Sequence, residues 1–121
     1  MDVLGEVFSI RVKRKKTDVT DETGALIRLP LERWEHLLDE HPHEFSYSDF
    51  GIVLDAVADP DYILRARDGA RDAVVNYGAQ FLHVFYREIN GNGGFVITAR
   101  YLKTFDRTLV IWRKDEHDRE S

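Results

Sequence analysis

Cysteine is absent from the 121 residues, so no disulfide can staple this chain and no thiolate can serve as nucleophile or metal ligand. No apolar run is long enough for a secretory h-region, or for a bilayer span of about 20 residues. The expectation is therefore a soluble, cytoplasmic protein. Prolines number only three, and two of them, Pro30 and Pro42, bracket a single segment. Excess positive charge is missing too. A formal net charge of −5 argues against a protein that coats nucleic acid by bulk attraction, because that term grows with the phosphates neutralised by Lys and Arg.

What is present is enough for a core: 43% of the residues are hydrophobic, which at this length fits one domain that folds without metal or disulfide support. That domain is assigned to residues 1–114. Residues 115–121 are charged, lack apolar anchors and are expected to fray. The charge is unevenly divided. Leu31 to Asp61 contains nine acidic residues and one basic, whereas Tyr62 to Arg113 contains eight basic and four acidic. The second part is therefore the half suited to holding an anion.

Glu6–Lys13 alternates apolar and polar residues, Asp21–Gly24 is a turn, and Gly24–Leu29 can return as a second strand, so an N-terminal β-hairpin is expected. Its basic run Arg11–Lys16 reads either as a phosphate patch or as charge that protects an exposed edge strand from aggregation. Pro30 suits the first turn of a helix and Pro42 ends it. A second helix follows from Phe50, Val53, Leu54 and Val57 at i, i+3, i+4 and i+7, with an N-cap offered by Ser46–Asp49 and a stop at Asp59–Asp61. From Tyr62 the period changes to two. Tyr62–Arg67, Ala73–Val75, Phe81–Glu88, Gly94–Tyr101 and Leu109–Arg113 read as an antiparallel meander. The fold class expected is α+β, with the hairpin and two helices packed on a four- to five-stranded antiparallel sheet.

Asn90–Gly93 marks a turn between the two strongest strands, and a connection of even length would fix which residues share a face. His83, Phe85 and Arg87 would then lie with Val96, Thr98 and Arg100, and Leu82, Val84 and Tyr86 with Phe95, Ile97, Ala99 and Tyr101. The first set gathers an imidazole, two guanidiniums and a hydroxyl beside aromatic surface, the ingredients of a platform for phosphate and base. A bulge or an odd connection would undo this register.

Within the bracketed helix, Leu31, Trp34, Leu37, Leu38 and His41 follow helical spacing on one stripe, and His36 falls near the opposite side at about 100° per residue. His41 thus reads as a packed helix terminator before Pro42. His36 reads as an outward imidazole, a side chain suited to proton transfer. His36 and Glu40 are also adjacent on this helix, with His41 and His43 nearby, but the order is not that of a zinc-protease helix and no metal is assigned.

The segment Leu31 to Pro42 with its Trp34-x-His36 and His41-Pro42, the acidic helix ending at Asp59-Pro60-Asp61-x-Ile63, and the strand Gly94–Ala99 with its Ile97-Thr98-Ala99 together resemble the phage-type Barnase–EndoU–colicin–RelE-like nucleases, over roughly Gly24 to Lys103. The resemblance implies a helical layer on a four-stranded antiparallel sheet, and metal-independent RNA cleavage without a cofactor. It also implies a toxin or phage-associated role, RNA as substrate, and room for an antitoxin or inhibitor protein. By motif position His36 and Thr98 carry over. The sequence departs from the pattern at Arg100, where an aromatic is common, and at Glu44, which His43 displaces from the place after His-Pro.

Such an enzyme needs a base for the 2′-hydroxyl, donors for the phosphate as charge builds, and an acid for the leaving oxygen. His36 is assigned as acid or base, Arg100 as phosphate clamp with Arg65 or Arg87 assisting, Thr98 as hydrogen-bond donor, and His83 or, less favoured by the pairing, Tyr86 as the partner in proton transfer or base stacking. Arg65, Arg87, Phe85, Tyr86 and Lys103 are assigned to substrate binding. The alternative from another class is a non-catalytic module that binds RNA or protein on the same fold, which the acidic net charge favours.

Overall fold

The computed structural model describes residues 18–89 and 93–115. Helix α1 spans Leu31–Glu40, between the two prolines, and buries Trp34 and Leu37. The Trp34 indole meets Phe45 and Phe50 edge-on, at ring-centroid distances of 6.2 and 5.6 Å. A short 3₁₀ turn, Tyr47–Asp49, is entered through the Ser46 N–H, which donates to Asp49 Oδ2 at 2.9 Å. Helix α2, Phe50–Ala58, follows, with the expected stripe of Phe50, Val53, Leu54 and Val57 buried.

The strands are β1 (Asp18–Thr20), β2 (Leu26–Arg28), β3 (Tyr62–Arg65), β4 (Arg71–Asn76), β5 (Phe81–Glu88), β6 (Gly94–Leu102) and β7 (Val110–Arg113). They form one sheet in the order β1-β2-β6-β5-β4-β3-β7. The α+β class is as expected, while the sheet differs in two respects. It has seven strands among the described residues, and it is mixed, because β2 runs parallel to β6 with Ile27 opposite Gly94. Two glycines let β6 meet both neighbours: a Cβ at Gly93 would meet the Leu26 carbonyl of β2, and one at Gly94 would collide with the Arg87 carbonyl of β5. The hairpin is also displaced along the chain. The turn Asp21–Gly24 joins β2 to Asp18–Thr20, and Glu6–Lys13, with the basic run, lies outside the described residues, as do residues 116–121.

The meander is interrupted at its end. β7 pairs with β3 at the far edge, not with β6, so the connection 103–109 crosses the sheet face opposite α1 and α2. Phe105 anchors it, 4.7 Å from the Tyr62 ring and 5.0 Å from Phe81. The two faces are thereby covered differently. Helices and the main core, including Ile27, Leu29, Trp34, Val53, Leu82, Val84 and Tyr86, lie on one. The other, the outer face, carries Tyr62, Leu64, Val74 and the β6–β7 connection.

Between β5 and β6 the register shifts. Glu88 pairs with Gly94, leaving residues 89 to 93 as a connection of odd length, and the ladder slips between Phe85–Thr98 and Tyr86–Val96, where Ile97 is the extra residue. The odd connection reverses the expected pairing near the turn and the bulge restores it beyond. Val96 therefore joins Tyr86 in the core, both at 0% exposure, while Phe95 pairs with Arg87. This corrects the expectation for Val96, Phe95 and Ile97. His83, Phe85, Thr98 and Arg100 do share the outer face.

Candidate active site

Past the bulge, Thr98 and Arg100 of β6 stand beside Phe85 and Arg87 of β5 on the outer face. The turn Ala66–Ala70 rises at one side, and together with Ile97 and His41 these residues line a hollow of about 420 Å³. The turn is tight. Asp68 is left-handed at φ 57° and Gly69 at φ 79°, a conformation that aspartate tolerates better than most residues and glycine freely. Arg87 holds it there, Nη1 donating to the Asp68 carbonyl at 2.7 Å. One of five N–H groups is used in this contact, and the guanidinium still borders the hollow, as does that of Arg67.

His41 reaches the hollow because it has left the helix. Pro42 disfavours α geometry at the preceding residue, and His41 sits at φ −131°, ψ 60°, its N–H donating to the Leu37 carbonyl. Its side chain is 19% exposed, with Nδ1 3.6 Å from Glu44 Oε2. Glu44 Oε1 in turn accepts the Tyr101 N–H at 3.3 Å, tying the end of α1 to β6. The sequence reading of His41 as a terminator holds; its placement as merely packed does not, since helical-wheel angles do not apply to a residue outside the helix.

The remaining candidates are dispersed. His36 is exposed, 3.2 Å from Glu40 Oε2, and lines a separate hollow of about 490 Å³ with Pro30, Glu32, Arg33 and Phe95. The structure therefore does not bring His36 to Thr98 and Arg100. His83 faces outward but is buried at 3% exposure. Its Nδ1 lies 2.7 Å from Asp72 Oδ2, and its Nε2 lies 3.1 Å from the Thr104 carbonyl under the β6–β7 connection. Both nitrogens are occupied, which removes His83 from substrate contact. Tyr86 is buried on the helix-bearing face, its hydroxyl donating to Asp21 Oδ2 at 3.0 Å. Burial, reinforced by the Asp21 charge, pushes that phenol up. Arg65 pairs with Arg71 and so falls on the helix-bearing face, away from the hollow. Lys103 is exposed just beyond β6. The His36–Glu40 and His41–Glu44 pairs are separate, and among the described residues no three such side chains converge on a metal position.

Residues that the sequence reading missed at the hollow are His41, Arg67, Asp68 and Ile97. The His41-Pro42 dipeptide was the available signal for the first, and Asp68-Gly69 for the turn that carries Arg67. Chemically, the lining offers three guanidiniums, a hydroxyl, an aromatic ring and a half-buried imidazole, with the Asp68 residue as the acidic member. No family model, curated protein or solved structure matches the chain. No helix among the described residues is long and apolar enough to cross a membrane.

Proposed function

We propose that the hollow binds an RNA phosphodiester and that the protein cleaves it by attack of the neighbouring 2′-hydroxyl, without a metal. The observation that carries this reading is the clustering of His41 with Thr98, Arg67, Arg87 and Arg100 around one hollow. The likeness of the Trp34–Pro42 and Gly94–Ala99 segments to the Barnase–EndoU–colicin–RelE-like nucleases supports the same reaction. His41 Nε2 takes the 2′-hydroxyl proton as the oxygen bonds to phosphorus. The guanidiniums and the Thr98 hydroxyl stabilise the charge on the phosphoryl oxygens. The P–O5′ bond breaks, the 5′ oxygen takes a proton from water entering the open hollow, and a 2′,3′-cyclic phosphate remains.

Incubation of the purified protein with mixed RNA in EDTA tests this. Fragments with cyclic phosphate ends are expected, and Arg100→Glu should abolish them. Retained RNA binding with no fragments would leave the non-catalytic binding module as the correct reading. Equal cleavage by parent and Arg100→Glu would remove the hollow from the chemistry.

A further inference from the structure

The β6–β7 connection is more than a return to the sheet edge. It lies on the same face as the hollow, because Phe105 seats on Tyr62 and Phe81, whose strand partners place them on the side of His83 and Phe85. It is fixed at its start by the contact of His83 with the Thr104 carbonyl. At its centre the Arg107 guanidinium lies 4.7 Å above the Phe105 ring. The acidic residue between them is engaged locally: Asp106 Oδ1 accepts from the Thr108 N–H at 2.9 Å and its hydroxyl at 2.6 Å. Lys103, exposed, lies in the chain between this pair and Arg100, which the register places opposite His83.

We infer that single-stranded RNA entering the hollow continues over this connection, with Lys103 and Arg107 on phosphates beyond the scissile one and the Phe105–Arg107 pair beneath a base. This rests on the proposal that the hollow takes an RNA phosphate. The cations Arg100, Lys103 and Arg107 succeed one another along the chain, and the last lies over the Phe105 ring, which itself rests on Tyr62 and Phe81. That arrangement suits a single strand, whose unstacked bases can rest on a ring or a guanidinium plane. A duplex presents two phosphate rows and keeps its bases stacked inside. The connection is pinned before RNA arrives, so little ordering is needed on binding.

Fluorescence anisotropy with a labelled 12-nucleotide single strand carrying 2′-O-methyl groups, which blocks the attacking hydroxyl, separates binding from cleavage. The same sequence as a duplex, and cleavage of an unmodified dinucleotide, complete the set. The single strand should bind more tightly than the duplex. Arg107→Ala should weaken it roughly fivefold and lower the slope of log affinity against log salt by about 0.7, one phosphate's share for a single strand. Arg107→Glu should weaken it further, and cleavage of the dinucleotide, too short to reach the connection, should not follow the loss. If the parent cleaves RNA but Arg107→Glu binds the 12-mer as the parent does, or if the duplex binds better, the extended track is wrong and the cleavage proposal stands. If the 12-mer binds with the Arg107 dependence but no RNA is cut, the track stands and the cleavage proposal falls. Neither binding nor cleavage would overturn both.

Discussion

Asp72 Oδ2 lies 2.7 Å from His83 Nδ1 in a site where the two side chains are 6% and 4% exposed. Because His83 Nε2 faces a carbonyl oxygen, it must carry a proton, and the Nδ1–Oδ2 contact then holds one further proton between imidazole and carboxylate. Asp72 Oδ1 is buried without a hydrogen-bond partner among the described residues. The pair is thus a costly element whose removal by halves leaves an uncompensated polar group. His83→Ala should lower stability by about 3–5 kcal/mol, while His83→Ala with Asp72→Ala should cost less than the sum of the single changes. A double-mutant cycle by urea unfolding measures this, and simple additivity would show that the two groups do not interact.

The two buried carboxylates should respond to pH in opposite senses. Burial raises Asp72 above its ordinary 3.8, and the bond and charge of His83 only partly offset this. A raised carboxyl favours folding when protonated, so its contribution is lost as pH rises above that value. Burial also pushes Asp21 upward, but hydrogen bonds from Thr23, Ala25 and Tyr86 together outweigh it and leave the group below 3.8. Its contribution is present above 3.8 and lost as pH falls through the lower folded value. Relative to parent, Asp72→Asn should therefore gain stability as pH rises from 3.8, and Asp21→Asn should approach the parent only as pH falls below it. Urea unfolding at a series of pH values reads both; parallel curves would contradict the assignment.

Asp21 also joins the hairpin to the sheet. Its Oδ2 accepts from Tyr86 and, at 3.0 Å, from Arg71 Nη1, and its own side chain is fully buried. Asp21→Ala leaves the Tyr86 hydroxyl and the Arg71 guanidinium without this acceptor and should cost about 3–5 kcal/mol. A loss under 1 kcal/mol in chemical denaturation would mean that the β2–β6 pairing and the apolar residues of the hairpin hold it without this carboxylate.

Much of this fold was legible because short-range patterns carried it. The Phe50–Val57 stripe and the paired prolines specified the helices, and period-two runs located β5 and β6. What escaped depends on long-range partners: β2 reaches β6 through only Ile27 and Arg28, and β7 is sent to the far edge by where Phe105 finds its aromatic neighbours. The site was half legible. Thr98, Arg100, Phe85 and Arg87 were identified as candidates, and the register assumption was rescued at Thr98 and Arg100 only because an odd connection and the Ile97 bulge compensate. His41 was misplaced because wheel geometry was applied to a residue that Pro42 holds out of the helix.

Trp34 fills the space between α1, α2 and the sheet at 1% exposure, and its indole nitrogen has no hydrogen-bond partner among the described residues. It acts through volume. Trp34→Ala should cost about 3–5 kcal/mol, and Trp34→Phe distinctly less, because the ring is partly kept and a buried unpaired N–H is removed. Thermal melts decide, and a Trp34→Ala shift of only a degree or so would contradict the packing role.

The decisive comparison is between the two histidines of one helix segment. His36, paired with Glu40 on the exposed side of α1, borders a hollow without Thr98 or Arg100, so His36→Ala should melt and cleave RNA like the parent. His41 borders the hollow that holds both, and among the described residues its ring makes an edge contact with Phe45 at 6.4 Å and a pair with Glu44. His41→Ala should therefore lose cleavage by roughly 10²–10⁴-fold, the yield of a positioned acid or base, in excess of any unfolded fraction. Single-turnover cleavage and a melt on each variant measure both quantities. If His36→Ala loses cleavage and His41→Ala keeps it, proton transfer belongs to the other side of the helix, and the hollow on the outer face binds RNA without cutting it.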